Sequence, residues 1–430
     1  MKPFQGMDTM ESSKKVVLLV AEAVTLAHYG RIAKLSRALP SSDYHIIVAA
    51  DPRYRALDEI PGVDFHPIWS IPSGQFSHAL EHGAPLYDAQ TLTRYVEDDL
   101  TLIDAVKPDL IVGDFRLSLA ISAPLRKVPY ASVVNAYWSP YADIDFPIPE
   151  LPFTRITGLK VGQALFDLVR PFAFALHARP LNQVRRKYGL APLGSDLGKT
   201  YTWADYTLYA DIPELVKTRH LPGNHRFLGP ILWSTQTPLP DWWGSLPEDK
   251  PIVFLTLGSS GRADLLPRVF EVLSELPVTV IAATAGKVAL KSVSPNVYSA
   301  DYLPMDVASA RSAFIISNGG SLTTYQALTV GVPVLGICSN MDQLLNMNAV
   351  QGLGAGITLR AGRANIAEIR LAVTALLENP AYLEAAGRVR QAVLQHDAMQ
   401  NFQDIVADIL QYSEGSESGP GVEQSGANRT

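Results

Sequence analysis

Apolar and polar positions along this chain fall into blocks that predict strands and helices by turns. Short runs of apolar residues, the length of buried strands, cover Lys15–Ala21 (KVVLLVA), Tyr44–Ala50 (YHIIVAA), 63–69, 109–114 (DLIVGD) and 130–135. Between them, apolar residues at helical spacing occupy a segment ending at Leu39 and the stretches 91–106 and 117–125. Strand and helix in alternation predict a parallel sheet covered on both faces, in which ligands collect at the carboxyl ends of the strands. His28, in the loop expected after the first strand, and Asp114, at the end of a later one, can therefore face one crevice despite their separation in sequence.

After residue 229 the pattern breaks into PILWSTQTPLPDWWGSLPEDKP, a proline- and turn-rich stretch that reads as a linker, and a second strand–helix series starts at Ile252. Strands are expected at 252–257, 278–283, 297–299, 314–316 and 332–338, and helices at 265–276, 321–329, 366–377, 382–395 and 401–412. Within this series an apolar run meets Gly319 and Gly320 and opens a helix that Gly331 and Pro333 end, after which a second run delivers Asn340, Asp342, Gln343 and Asn346. A glycine turn ahead of a helix aims its first backbone N–H groups, and the positive end of its dipole, at an anion, with phosphate the natural occupant. The expected organisation is a flexible start (1–14), an N-terminal domain (15–229), the linker (230–251), a C-terminal domain (252–400), a closing helix (401–413) and a disordered tail (414–430). Residues 138–190 depart from the alternation with proline-punctuated apolar and aromatic segments, suited to line an apolar pocket, to rest on a membrane surface or to pack as ordinary helices.

Length agrees with two domains, since 430 residues exceed what one hydrophobic core usually supports. Composition narrows the partners. With 18% charged residues and a net charge of -6, the chain lacks the basic field that nucleic acid binding needs. Cys338 is the single cysteine, so neither an intrachain disulfide nor a cysteine metal cluster can form, and no carboxylate or histidine spacing suggests a metal. The polar start and Glu22 in the first apolar run argue against a signal peptide or a membrane span, so the cytoplasm is the expected compartment.

These residues resemble the GT-B glycosyltransferases of the UDP-glucuronosyl/UDP-glucosyl transferase type, including the bacterial macrolide glycosyltransferases. The family pattern His-Gly-Gly-x-Gly-Thr-x-x-Glu-Ala, then Gly-Val-Pro, then Asp-Gln-x-x-Asn-Ala, is similar to three stretches of this chain. They are Asn318 to Ala327 (NGGSLTTYQA), Gly331-Val332-Pro333, and Asp342-Gln343-Leu344-Leu345-Asn346-Met347. Upstream, Leu257-Gly258-Ser259 resembles the phosphate loop, Asp301-Tyr302-Leu303-Pro304 the base-contacting segment, and Gly229-Pro230 the dipeptide before the linker. Ala27-His28-Tyr29-Gly30-Arg31 falls where the family carries Gly-His-x-x-Pro. The likeness spans roughly residues 15 to 400 and is strongest in the second half.

The resemblance implies two Rossmann-like domains of α/β class facing each other across a cleft. It also implies an inverting, metal-independent transfer of a hexose from UDP or dTDP to a hydroxyl of a small, partly apolar acceptor. The nucleotide sugar is then a co-substrate, no cofactor is needed, and contact with a membrane surface is possible for the 138–190 region. His28 is the expected base, partnered by Asp114; a histidine titrates at about 6.5, within reach of the task. Gly258, Ser259, Ser260, Asn318, Gly319, Gly320, Ser321 and Thr323 are expected at the diphosphate, Tyr302, Leu303 and Gln326 at the nucleoside, and Asp342 and Gln343 at the sugar. Departures are also visible: Asn318 replaces the family histidine, Gln326 its glutamate, Leu322 a glycine, Met305 a glutamine and Arg31 the proline. Each neutral amide in place of a charged partner is expected to cost about 1 kcal/mol, and the two together about tenfold or more in donor affinity. The other readings are a nucleotide-sugar epimerase on the same fold, which needs further acid/base groups, and a catalytically silent binding partner.

Overall fold

The computed structural model describes residues 14–150, 154–257, 262–286 and 295–417. Among them, the first half builds a sheet from β1 (Lys15–Ala21), β2 (Tyr44–Ala50), β3 (Asp64–Pro67), β4 (Leu110–Asp114), β5 (Tyr130–Val134), β6 (Tyr206–Tyr209) and β7 (His225–Phe227). Its order is β3-β2-β1-β4-β5-β6-β7, every pair parallel. The second half builds β8 (Ile252–Thr256), β9 (Thr279–Ala283), β10 (Val297–Ala300), β11 (Phe314–Ser317), β12 (Val334–Cys338) and β13 (Gly356–Arg360) in the order β10-β9-β8-β11-β12-β13, again parallel. Parallel ladders bury both faces, and Val17 to Ala21 and Val253 to Leu255 are accordingly almost wholly shielded from solvent.

Helices cover the first sheet: α1 (Leu26–Ser36), α2 (Ser73–His82), α3 (Ala89–Val106), α4 (Leu119–Arg126), α5 (Thr154–Lys187) and α6 (Leu197–Thr202). The second is covered by α7 (Leu266–Ser274), α8 (Met305–Ala310), α9 (Ser321–Thr329), α10 (Met341–Gly352), α11 (Ile366–Glu378) and α12 (Pro380–Val393). The last helix, α13 (Ala398–Glu417), crosses back: Phe402, Ile405, Val406 and Ile409 bury among Val17, Leu19, Ile32 and Leu35 of the first half. Asn401 donates to Leu228 O at 2.8 Å and Arg226 pairs with Asp408 at 2.8 Å, fixing that return.

Each sheet reverses its winding once, between β1 and β4 in the first and between β8 and β11 in the second. Loops leaving adjacent strands toward opposite faces open a crevice there, the place where ligands of doubly wound sheets bind. His28 and Asp114 stand at the first reversal; Thr256 and the Gly319-Gly320 turn stand at the second.

Several expectations are corrected. His28 lies in the first turn of α1 rather than in a loop. Residues 154–187 do form ordinary packed helices, one of the readings open for this region: α5 is helical on both sides of a break at Gly158 (φ 75°, ψ 169°), with Pro171 and Pro180 inside it. Strands β6, β7 and β13 and helix α2 were not expected at all. β7 is only three residues long, and four of the five residues of β13 are partly exposed, so neither presents a buried apolar run to a pattern reading.

Candidate active site

Two contacts hold His28. Its Nδ1 meets Asp114 Oδ1 at 2.7 Å, and its ring stacks on Phe115 with centroids 5.1 Å apart and planes 7° from parallel. Phe115 reaches that position with a left-handed backbone (φ 56°), a strained conformation for a bulky residue that persists only where its surroundings enforce it. Asp114 is wholly buried and accepts an Nδ1–H, which leaves Nε2 of His28 with its lone pair, the tautomer a base requires. Arg31, where the resemblance expected a proline, closes on the same carboxylate: Nε lies 2.7 Å from Asp114 Oδ2 and Nη2 lies 3.0 Å from Oδ1. Its Nη1 donates to Asn135 Oδ1 at 3.0 Å, and Asn135 Nδ2 donates to Ser321 Oγ at 2.9 Å. A continuous polar chain thus runs from the histidine pair in the first half to the start of α9 in the second.

The glycine turn is built for close approach. Gly319 has φ 80°, and a Cβ on it would sit 2.6 Å from Met347 Cγ and 2.7 Å from Cys338 Sγ. Asn346, fully buried on α10, donates to Gly319 O at 2.8 Å and to Thr324 Oγ1 at 3.0 Å, so α10 clamps the turn from below. Two expected diphosphate donors are engaged within the turn: Gly319 N–H donates to Ser317 Oγ at 3.0 Å and Gly320 N–H to Asn318 Oδ1 at 3.2 Å. The first-turn N–H groups of Ser321, Leu322 and Thr323 have no side-chain cap among the described residues, and these three line the cavity. The N–H groups that the turn leaves uncapped therefore begin a step into the helix.

A cavity of about 640 Å³ lies between the two reversals. His28, Arg31, Asp114, Asn318, Gly320, Ser321, Thr323, Tyr302, Leu303, Asp342 and Gln343 all border it, together with Thr256, Trp138 and Trp233. Asp342 Oδ1 accepts from Trp138 Nε1 at 2.8 Å across the cleft. Gln343 is oriented by Ser339, whose N–H and Oγ lie 2.8 and 3.1 Å from its Oε1. Gln326, expected at the nucleoside, does not border the cavity: it is buried, and its Nε2 donates to Trp233 O at 2.9 Å, which ties α9 to residue 233. Gly319 likewise stays behind the wall. Gly258, Ser259 and Ser260 fall outside the described residues. Phe115, Asn135 and Trp138 contribute to the site without having been singled out; Phe115 directly follows Asp114, and Asn135 and Trp138 follow the β5 run, the one signal that pointed to them.

Behind His28 the cavity turns apolar, walled by Phe76, Ala79 and Leu80 of α2 and by Phe166, Val169 and Phe174 of α5. His177, also on this wall, donates from Nε2 to Gly83 O (3.1 Å), and burial holds its pKa below the ordinary histidine value. A second buried carboxylate braces the two halves: Asp211 accepts from Ala136 N at 2.6 Å, Asn135 Nδ2 at 3.2 Å and Tyr325 Oη at 3.0 Å, and burial raises its pKa.

Residues 264–409 match the model of the erythromycin biosynthesis protein CIII-like, C-terminal domain, family. A PGL/p-HBAD biosynthesis rhamnosyltransferase of Mycobacterium bovis is 49% identical over 383 residues, 89% of this chain and 85% of the relative. A PGL/p-HBAD biosynthesis glycosyltransferase of Mycobacterium tuberculosis is 48% identical over 376 residues, 87% of this chain and 88% of the relative. This chain belongs to that family of glycosyltransferases. One member, an inactive PGL/p-HBAD biosynthesis glycosyltransferase of Mycobacterium bovis, is 47% identical over 257 residues, 60% of this chain and 70% of the relative. The glycosyltransferase also shares its GT-B fold with the spinosyn forosaminyltransferase SpnP (TM-score 0.68, 16% identity, 93% of this chain and 100% of that one). The glycosyltransferase VinC, solved in complex with dTDP, is alike in fold (TM-score 0.65, 17% identity, 93% and 100%). Both sheets of this glycosyltransferase, with their facing reversals, are the two halves of that fold.

Proposed function

We propose that this glycosyltransferase moves a hexose or 6-deoxyhexose from dTDP or UDP to a hydroxyl of a partly apolar acceptor, with inversion and without a metal. The observation that carries the reading is the 2.7 Å His28–Asp114 pair set across one cavity from the uncapped start of α9. His28 Nε2 takes the proton of the acceptor hydroxyl as its oxygen bonds to the anomeric carbon. The bond from that carbon to the diphosphate breaks on the opposite side, and its electron pair leaves on the diphosphate oxygen. Backbone N–H groups of Ser321, Leu322 and Thr323 and the α9 dipole receive this charge. Asp114 offsets the charge of the imidazolium, while Arg31 and Asn135 keep the pair in register with α9.

Tyr302, Leu303 and Trp233 suit the nucleoside, and Asp342 and Gln343 the sugar hydroxyls. The rhamnosyltransferase activity named for the Mycobacterium bovis relative and the dTDP in the VinC structure support a thymidine donor and a deoxysugar. The wall of α2 and α5 suits an aromatic or aliphatic acceptor. The first test is thermal unfolding with dTDP, UDP, GDP and their sugars: a ligand that binds only the native state raises the midpoint by mass action. A rise with dTDP or UDP is expected, and none at about 100 times a micromolar Kd, where about 2.7 kcal/mol is expected, removes the donor site. The second is His28→Ala, expected to lower kcat by about 100-fold or more with the midpoint shift retained; undiminished turnover with every acceptor excludes His28 as the base.

A further inference from the structure

On α5 six large apolar side chains stand in solvent: Val161, Leu165, Leu168, Val169, Phe172 and Leu176, between 45% and 78% exposed. At 100° per residue all six fall within an arc of about 100°, a stripe about 24 Å long from residue 161 to residue 176. Isolated exposed apolar side chains are ordinary, but a contiguous stripe of this size on one helix face marks a surface built for contact.

The same face continues as charge. Arg179, Arg186 and Lys187, all exposed, follow on the same side in the next turns, and α5 as a whole carries seven basic residues against one acidic, Asp167, in a chain whose net charge is -6. An apolar stripe ending in a basic cluster matches an anionic lipid surface, whose acyl boundary takes the first and whose headgroups take the second. Among the described residues no helix is long and apolar enough to cross a membrane, so a helix that meets a bilayer here lies on it.

The stripe is also continuous with the active-site cavity. Val169 is half exposed on the stripe and borders the cavity, while Phe166, Phe174 and His177, from the other side of the same helix, form the cavity wall. One helix separates the outside apolar face from the acceptor wall. We infer that α5 docks this glycosyltransferase on an anionic membrane surface, so that an acceptor with a lipid-soluble part passes from the bilayer to His28 without crossing water. The docking stands on the helix face alone; the passage of acceptor rests on the function proposed above.

Flotation of the purified full chain with vesicles tests the docking without any turnover. Wild-type protein is expected to float with vesicles of equal parts phosphatidylglycerol and phosphatidylcholine, and about tenfold less with phosphatidylcholine alone. Leu168→Glu combined with Phe172→Glu is expected to lower flotation about tenfold while leaving the thermal midpoint and the midpoint shift with dTDP or UDP unchanged, because neither side chain packs inside the protein or borders the cavity. Arg179→Glu with Arg186→Glu is expected to erase the preference for anionic vesicles. Failure of the wild type to float, equal flotation of the Leu168/Phe172 variant, or a wild-type dimer that this variant turns into a monomer with no vesicle binding would each overturn the proposal. A lost nucleotide shift with retained flotation would count against the donor site and not against the docking.

Discussion

Arg116 has no solvent contact, although arginine is among the residues least often fully buried. It stands two residues beyond Asp114 and joins Glu22 (Nη1 to Oε2, 3.2 Å) to Asp99 (Nε to Oδ1, 3.0 Å), both themselves buried, and stacks on Tyr95. Glu22 follows β1 directly, so this trio braces the strand ends that carry the His28 pair. Burial raises the pKa of both carboxyls and Arg116 opposes that rise. Arg116→Met should cost about 3–5 kcal/mol in urea unfolding, since two carboxyls lose their cation in a dry site. The sign of its pH dependence follows. A carboxyl whose folded pKa is raised stabilises the fold only below its ordinary range, and loses that contribution as pH rises through the raised value. The deficit of the variant should therefore be smaller at about pH 5 than at about pH 8, and an equal deficit at both would show that the carboxyls do not titrate with the fold.

Among the elements, the β11–turn–α9 unit was the most legible in the sequence, because an apolar run, two glycines and a helix-compatible segment need no distant partner to be recognised. What was not legible is which donors the turn spends on itself. That depends on Ser317 and Asn318 folding back onto Gly319 and Gly320, a matter of side-chain direction rather than of pattern. The partner of Gln326 was illegible for a related reason: its place on α9 is set by helical register, but its Nε2 donates to Trp233 O, a long-range contact. Helix α5 was legible only as one of three readings, since a proline-punctuated apolar stretch fits packed helices as well as a pocket lining or a membrane face. Gly319→Ala tests the turn itself. With φ 80° and two neighbours under 3 Å from its Cβ, the substitution should cost about 2–4 kcal/mol and abolish the nucleotide midpoint shift. A variant of wild-type stability would mean that the α10 clamp yields freely.

At the scale of the whole molecule, the two-domain fold followed from the alternation of runs, whereas the contacts between the halves could not be read, because each joins residues far apart in sequence. Three of them are Asn135 to Ser321, Trp138 to Asp342 at 2.8 Å, and Arg360 Nη1 to Ile148 O at 2.7 Å. Trp138→Phe keeps the ring among Phe146 and Tyr201 but removes the Nε1–H that reaches Asp342. The loss of one hydrogen bond should cost about 1 kcal/mol and favour the open arrangement, seen as a larger radius of gyration in small-angle scattering of the unliganded chain; an unchanged radius would mean that this bond does not hold the halves together.

The polypeptide passes between the halves twice, once at Gly229 and again in the residues between α12 and α13, and the two passages touch: a Cβ on Gly229 would lie 2.8 Å from His396 Cβ. Such an arrangement works like the spine of a book. Two crossings that meet on one line constrain sliding of the halves more than rotation about that line. Gly229, at φ 99° and with no room for a Cβ beside His396, is the thinnest point of the binding, and a side chain placed there would strain the crossing without touching a residue that borders the cavity.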